Sequence, residues 1–182
     1  LSRSNIQTAK ITADSAVVDQ ITEKIELTNR VFVGIIPTAK NNEMSQPTDI
    51  RADRAVASFE KREIRKIDLF GQVDVYQKPT NANSKWTRTK ADKATANILN
   101  ELKSVELTDN VQIETASNNT QPTKINSGYA LYEKEPDRFQ LRNGVHIITV
   151  EDAKPTHIRS SEAVYEQTAG RIVLTGNAEI DN

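Results

Sequence analysis

Apolar and polar residues alternate in five short stretches of this 182-residue chain, and the five stretches align on one another. They read KIELTNRVFV from Lys24, KIDLFGQVDV from Lys66, SVELTDNVQI from Ser104, RFQLRNGVHI from Arg138 and RIVLTGNAEI from Arg171. Each has an apolar residue, Leu two positions later, and Val or Ala four positions after the Leu. A period of two predicts a β-strand with one apolar face, whereas an amphipathic helix needs spacings of three and four. Midway between the Leu and the next apolar residue, a position that ought to face inward holds Asn29, Gly71, Asp109, Asn143 or Gly176. These residue types tolerate positive φ, so a bend or bulge is expected at the same place in every copy.

A second motif precedes each stretch: ITADSA from Ile11, IRADRA from Ile50, TKADKA from Thr89, INSGYA from Ile125 and IRSSEA from Ile158. Its last residue, Ala16, Ala55, Ala94, Ala130 and Ala163, recurs at intervals of 39, 39, 36 and 33 residues, so insertions fall between and after the halves, as loops do. Ile50 and Ala52 stand in one phase and Ala55 in the other, which predicts a corner here as well. Segments such as DQITE, EKREIR and EQTAG supply turns, and the Pro-containing QPTDI, QPTKI and KPTHI lead into the next unit. Each repeat is therefore one hairpin-like strand pair, and five of them give about ten strands.

A lone hairpin cannot bury its apolar face in water, so the pairs must stack around a shared interior. The expected fold is all-β and elongated, a single domain over residues 1–182, with two creased halves closing over one another. NILNELKSVEL, from Asn97, could form a helical turn, but the repeat alignment makes it an extended turn before the strand at Val105. The inward set is Ile25, Leu27, Val31, Val33, Ile67, Leu69, Val73, Val75, Val105, Leu107, Val111, Ile113, Phe139, Leu141, Val145, Ile147, Ile172, Leu174 and Ile180. A packed core and an interior that holds a guest would both use these residues.

Charge and composition narrow the partners mainly by exclusion. A net charge of −1 supplies no field that would favour nucleic acid or an anionic membrane surface. The absence of cysteine removes disulfides and thiolate sites, and His146 and His157 stand eleven positions apart with no metal-ligand spacing around them. No apolar run approaches the roughly 20 residues of a membrane-spanning helix. The chain opens on Leu1 rather than Met, which fits the loss of an N-terminal signal or anchor.

The segments ITADSAVVDQITEKIELTNRVFV, IRADRAVASFEKREIRKIDLFGQVDV and IRSSEAVYEQTAGRIVLTGNAEI resemble the OstA-like family of periplasmic lipopolysaccharide-transport proteins, LptA and LptC among them. All five units fit, from about Ile11 to Ile180, although Thr89, Ser127, Gly128 and Ala178 depart from the pattern. The resemblance implies an open β-jellyroll, or β-taco, whose trough shelters lipopolysaccharide or a related glycolipid. It further implies a periplasmic location, soluble or tethered to the inner membrane by an N-terminal segment outside this chain. Other transport components, or further copies, would join end to end by β-augmentation through the strands around Arg171–Ile180 and Ile6–Val17. No reaction and no cofactor is implied.

An apolar groove suits such cargo physically, because each methylene kept from water is worth about 0.8 kcal/mol. Two loops, PTAKNNEMSQPT from Pro37 and QKPTNANSKWTRTK from Gln77, are longer than family turns. The second places Trp86 between Lys85 and Arg88, where it could meet a head group or simply pin its own loop. Lys24, Arg65, Lys66, Lys103, Arg138 and Arg171 precede the Leu strands and are candidates for a phosphate-facing row, or for solvated strand edges.

The acidic pairs Glu60/Glu63, Glu133/Glu135 and Glu151/Asp152 fall in turns or on strand exteriors, and no nucleophile elbow, phosphate loop or zinc spacing is present. Two other readings use the same strand stack. A polysaccharide-binding or polysaccharide-cleaving protein would show an exposed aromatic or acidic ladder, for which Tyr129, Tyr132 and Tyr165 are the only hint. A structural stack would have a filled interior and no cargo.

Overall fold

The computed structural model describes residues 8–36, 46–61, 63–81, 84–99, 101–117, 120–151 and 154–181. Fourteen strands form one antiparallel sheet: β1 Thr8–Thr12, β2 Ser15–Asp19, β3 Lys24–Ile36, β4 Thr48–Glu60, β5 Glu63–Gln77, β6 Lys85–Leu99 and β7 Glu101–Ser117, followed by β8 Thr123–Glu133, β9 Arg138–Arg142, β10 Val145–Glu151, β11 Lys154–Ser160, β12 Glu162–Glu166, β13 Arg171–Thr175 and β14 Glu179–Asp181. Within the Asn97–Leu107 segment, residues 97–99 belong to β6 and residues 101–107 to β7, rather than to a helical turn.

Fourteen strands reduce to the ten expected once the creases are followed. β8 pairs with β9 along one half and with β10 along the other, so β9 and β10 are two arms of a single bent strand. The same holds for β1 with β2, β11 with β12, and β13 with β14.

The bends fall where the turn-forming residues recur. Consecutive residues with positive φ occur at Asn29–Arg30, Gly71–Gln72, Asp109–Asn110, Asn143–Gly144 and Gly176–Asn177. Opposite each pair the neighbouring strand has one residue fewer, as where Thr28 faces Arg54 and Val31 faces Ala52. Such a two-against-one bulge bends the strand sharply. Lined up across the sheet, the bulges make one fold line dividing it into a turn-side half, whose strands meet in tight hairpins such as 20–23 and 167–170, and a loop-side half joined through longer segments such as 37–47 and 78–84.

Two glycines at the crease are also fixed by contact. A Cβ on Gly71 would stand 2.3 Å from the Asp53 carboxylate, and one on Gly128 would stand 2.8 Å from Cβ of Asn143. At the fold line the backbone amides of Asp14, Gly128 and Ser161 donate to the carbonyls of Asn29, Asn143 and Gly176 on the neighbouring strand, at 3.1, 3.2 and 2.9 Å. These are the Asp, Gly and Ser of the first motif, and they tie neighbouring strands together at the crease.

Both half-sheets contribute to one apolar cluster between them. Val31, Val73, Val111 and Val145 come from the loop side; Leu69, Leu107, Leu141 and Phe139 come from the turn side. Each such side chain, taken from water, contributes about 1.5–3 kcal/mol.

Candidate functional site: the interior of the folded sheet

Rows of cross-strand neighbours run along the inside of the fold. On the turn side the row nearest the crease is Ala16, Leu27, Ala55, Leu69, Ala94, Leu107, Ala130, Leu141, Ala163 and Leu174, each directly opposite the next. Leu27, Leu69, Leu107 and Leu141 each stand between two alanines, and Leu174, on the terminal strand, faces Ala163 alone among the described residues. The Ala that closes the first motif is therefore the small partner that makes room for the Leu of the second.

The remaining candidate residues fall in three parallel rows at the same face. Ile25, Ile67, Val105, Phe139 and Ile172 lie one step further from the crease on the turn side. On the loop side Val31, Val73, Val111 and Val145 flank the crease, with Val33, Val75, Ile113 and Ile147 one step beyond. Nearly all of the predicted inward set thus meets in one place; Ile180, on β14, is 60 % exposed.

Closure of the interior is uneven. In the third and fourth repeats Ile113, Ala130 and Ile147 are 0 % exposed, so the two half-sheets pack against each other there. Toward both ends the fold opens: Leu27, Val33, Ile172 and Leu174 are half-buried, and Ile11, Val17, Val18 and Ile36 at one end, with Val173 and Ile180 at the other, are exposed. These exposed residues belong to, or adjoin, the terminal strand pairs β1–β2 and β13–β14, each of which has a ladder partner on one side alone among the described residues.

The outer face is polar and self-paired. Arg88 donates to Asp74 through two nitrogens at 2.9 and 2.6 Å, and the hydrogen bond holds the Asp74 carboxyl below its ordinary pKa. Arg138 and Gln140 bind Glu133, and Arg171 binds Glu166; both carboxyls are held low by their arginines first. Guanidinium groups stack over outward aromatics, Arg51 on Phe32, Arg54 on Phe70 and Arg142 on Tyr129, which places three aromatics outside the alternating inward set.

Four residues of the expected basic row, Arg65, Lys66, Arg138 and Arg171, have carboxylate partners. Arg65 contacts Glu60 and Glu63, Lys66 contacts Asp68, and Arg138 and Arg171 have the partners just named. Glu60 and Glu63 therefore converge on a cation rather than on a cleft. Glu151 is exposed at a strand end, and Asp152 lies outside the described residues.

Trp86 is on β6, not in a loop as the sequence suggests. Its ring meets Tyr76 edge to face at 6.2 Å on the outer face, since the chain re-enters the ladder at Lys85 opposite Ser117. The 37–45 segment lies outside the described residues, as does Ile6.

Tyr132 and Tyr165 point inward beside Phe139, with Tyr165 only 6 % exposed, so they form no exposed aromatic ladder. Burial pushes both phenols up, with Asp137 adding to it. The two histidines are brought together across β10 and β11, with His146 Nε2 and His157 Nδ1 3.2 Å apart and the rings stacked. No cluster of three or more His, Cys, Asp or Glu suited to a metal occurs among the described residues.

Comparison with solved structures gives this geometry a counterpart. The chain superposes on the crystal structure of LptH, the LptA-homologous periplasmic component of the lipopolysaccharide transport device of Pseudomonas aeruginosa, with a TM-score of 0.61. The match covers 81% of this chain and 99% of LptH, at 12% sequence identity. The chain has the LptA-like β-jellyroll fold. No family model matches the sequence, and no curated protein is significantly similar to it. No helix of the described residues is long and apolar enough to cross a membrane.

Proposed function

We propose that this protein is a periplasmic carrier that shelters the acyl chains of lipopolysaccharide, or of a related glycolipid, between its half-sheets and passes them from the inner toward the outer membrane. The observation that carries this reading is the continuous run of apolar rows through all five repeats, which opens at both ends of an LptA-like fold. A groove that continues to the ends lets cargo move between stacked units without its methylenes meeting water.

Head-to-tail association follows the same logic. Terminal strands with no ladder partner on their outer edges among the described residues, and exposed Val17, Val18 and Val173, suit β-augmentation by another copy or another transport component. Fully closed packing at Ile113 and Ile147 favours a second reading, a structural stack without cargo.

Photo-crosslinking in cells separates the two. Probes at Leu27, Leu107 and Leu174 face inward, and Glu106 is the outward control. Lipopolysaccharide adducts confined to the inward sites, stronger at Leu27 and Leu174 than at the closed Leu107, are expected for a carrier. A folded, exported protein that gives adducts at no inward site would support the structural stack.

A further inference from the structure

The loop-side half-sheet carries an inward row that the apolar pattern does not account for. Thr48 faces Gln77, Gln77 faces Thr87, Thr87 faces Thr115 and Thr115 faces Thr123, in unbroken cross-strand register over five strands. Period two puts these side chains on the same face as Ile50, Val75, Ile113 and Ile125, one step further from the crease. All five are hydrogen-bonding residues at an inward position.

Their placement marks a boundary. From the valine row beside the crease to this row is four residues along each strand, about 13 Å, roughly the length of a ten-carbon chain. Crease-side of the row the inward positions are apolar apart from three isolated hydroxyls, Thr89 between Val75 and Ile113, Ser127 opposite Val111 and Ser160 opposite Val145; at the row every position on the five strands is hydroxyl or amide.

The middle of the row is covered and satisfies itself. Thr87 and Thr115 are 5 % and 7 % exposed, with Thr87 Oγ1 3.3 Å from Thr115 Oγ1 and Thr115 Oγ1 donating to the Trp86 carbonyl at 3.1 Å. Thr48 Oγ1 donates to the Gln46 carbonyl at 3.0 Å. Gln77 and Thr123 are half-buried and make no side-chain hydrogen bond among the described residues. Closed, the row leaves no buried hydroxyl without a partner; opened, it offers a line of donors and acceptors at one depth.

We infer that this row is the polar boundary of the cargo site, where a hydroxyl, ester or amide group near the head of a medium-length acyl chain hydrogen-bonds while the chain runs toward the crease. The inference rests on the carrier reading above and adds to it which part of the amphiphile is recognised, and by which residues. Valine has the shape of threonine without the hydroxyl, so the row's chemistry is separable from its packing.

The test is titration of the purified chain with 3-hydroxydodecanoate and with dodecanoate, followed by calorimetry. The wild type is expected to bind the hydroxylated chain roughly three- to tenfold more tightly, the range one hydrogen bond supplies. Thr115→Val combined with Thr123→Val brings the two probes to equal affinity, while Thr115→Ser combined with Thr123→Ser retains the preference. Equal binding of the two probes by the wild type, or a preference that survives in the valine variant, overturns the boundary role and leaves the carrier reading standing. Binding of neither probe overturns both.

Discussion

Leu107 and Ala130 stand directly opposite one another across the β7–β8 ladder, 2 % and 0 % exposed. The pair is one step in a row that alternates large and small from Ala16 to Leu174 and sets how closely the half-sheets approach at the crease. Truncating Leu107 to Ala is expected to destabilise the fold by about 2–5 kcal/mol, and enlarging Ala130 to Leu by about 1–3 kcal/mol. Because the two side chains share one space, the double variant should be less destabilised than the sum of the singles. Urea denaturation of all four proteins measures the coupling, and strict additivity would show that the alternation is incidental.

The crease makes a second prediction with an internal control. Gly71 and Gly144 both have positive φ, at 71° and 78°. A Cβ at Gly71 collides with Asp53, whereas nothing lies within 4 Å of one at Gly144. Gly144→Ala should cost only the backbone conformation, roughly 1–2 kcal/mol. Gly71→Ala should cost more, and Asp53→Ala should recover part of the loss in combination. Thermal melts of the three variants would show equal penalties at the two glycines if the carboxylate simply moved aside.

Titration of His146 should be visible in stability. Burial first, then the charges of Arg159 and His157, hold its pKa below the usual value, while Asn126 on the opposite strand is neutral. A depressed pKa means the unfolded chain takes up a proton first. The stabilisation from neutral His146 is therefore present above about pH 6.5, the unfolded value, and is lost as pH falls through the lower folded value. A melting temperature that declines modestly from pH 7 to pH 5, with a shallower decline in His146→Gln, is the expected result. Identical slopes would remove His146 as the source.

Association through the terminal strands predicts concentration-dependent mass. Replacing Val173 on β13 with Pro removes a backbone donor and stiffens the edge without touching the fully buried core. Sedimentation should show wild-type oligomers growing with concentration into the high micromolar range and a variant that stays smaller. A wild type that remains monomeric throughout would exclude homotypic stacking.

The strands, their inward face and the place of every bend were legible in the sequence because each depends on neighbours close along the chain: period two for the strand, and Asn, Asp or Gly where φ is positive. That these bends form one line across ten strands, that every Leu but the terminal Leu174 is framed by two alanines, and that Thr48, Gln77, Thr87, Thr115 and Thr123 share a row are properties of register between strands. So are the stacking of His146 on His157 and the entry of Trp86 into β6. Alternation fixed which side of a strand is apolar, since a one-residue slip would turn the whole set outward. How tightly the two faces close was decided by tertiary packing alone: full burial at Ile113 and Ile147, and exposure at Ile11 and Ile180, depend on how many strands lie on either side, which no single repeat encodes.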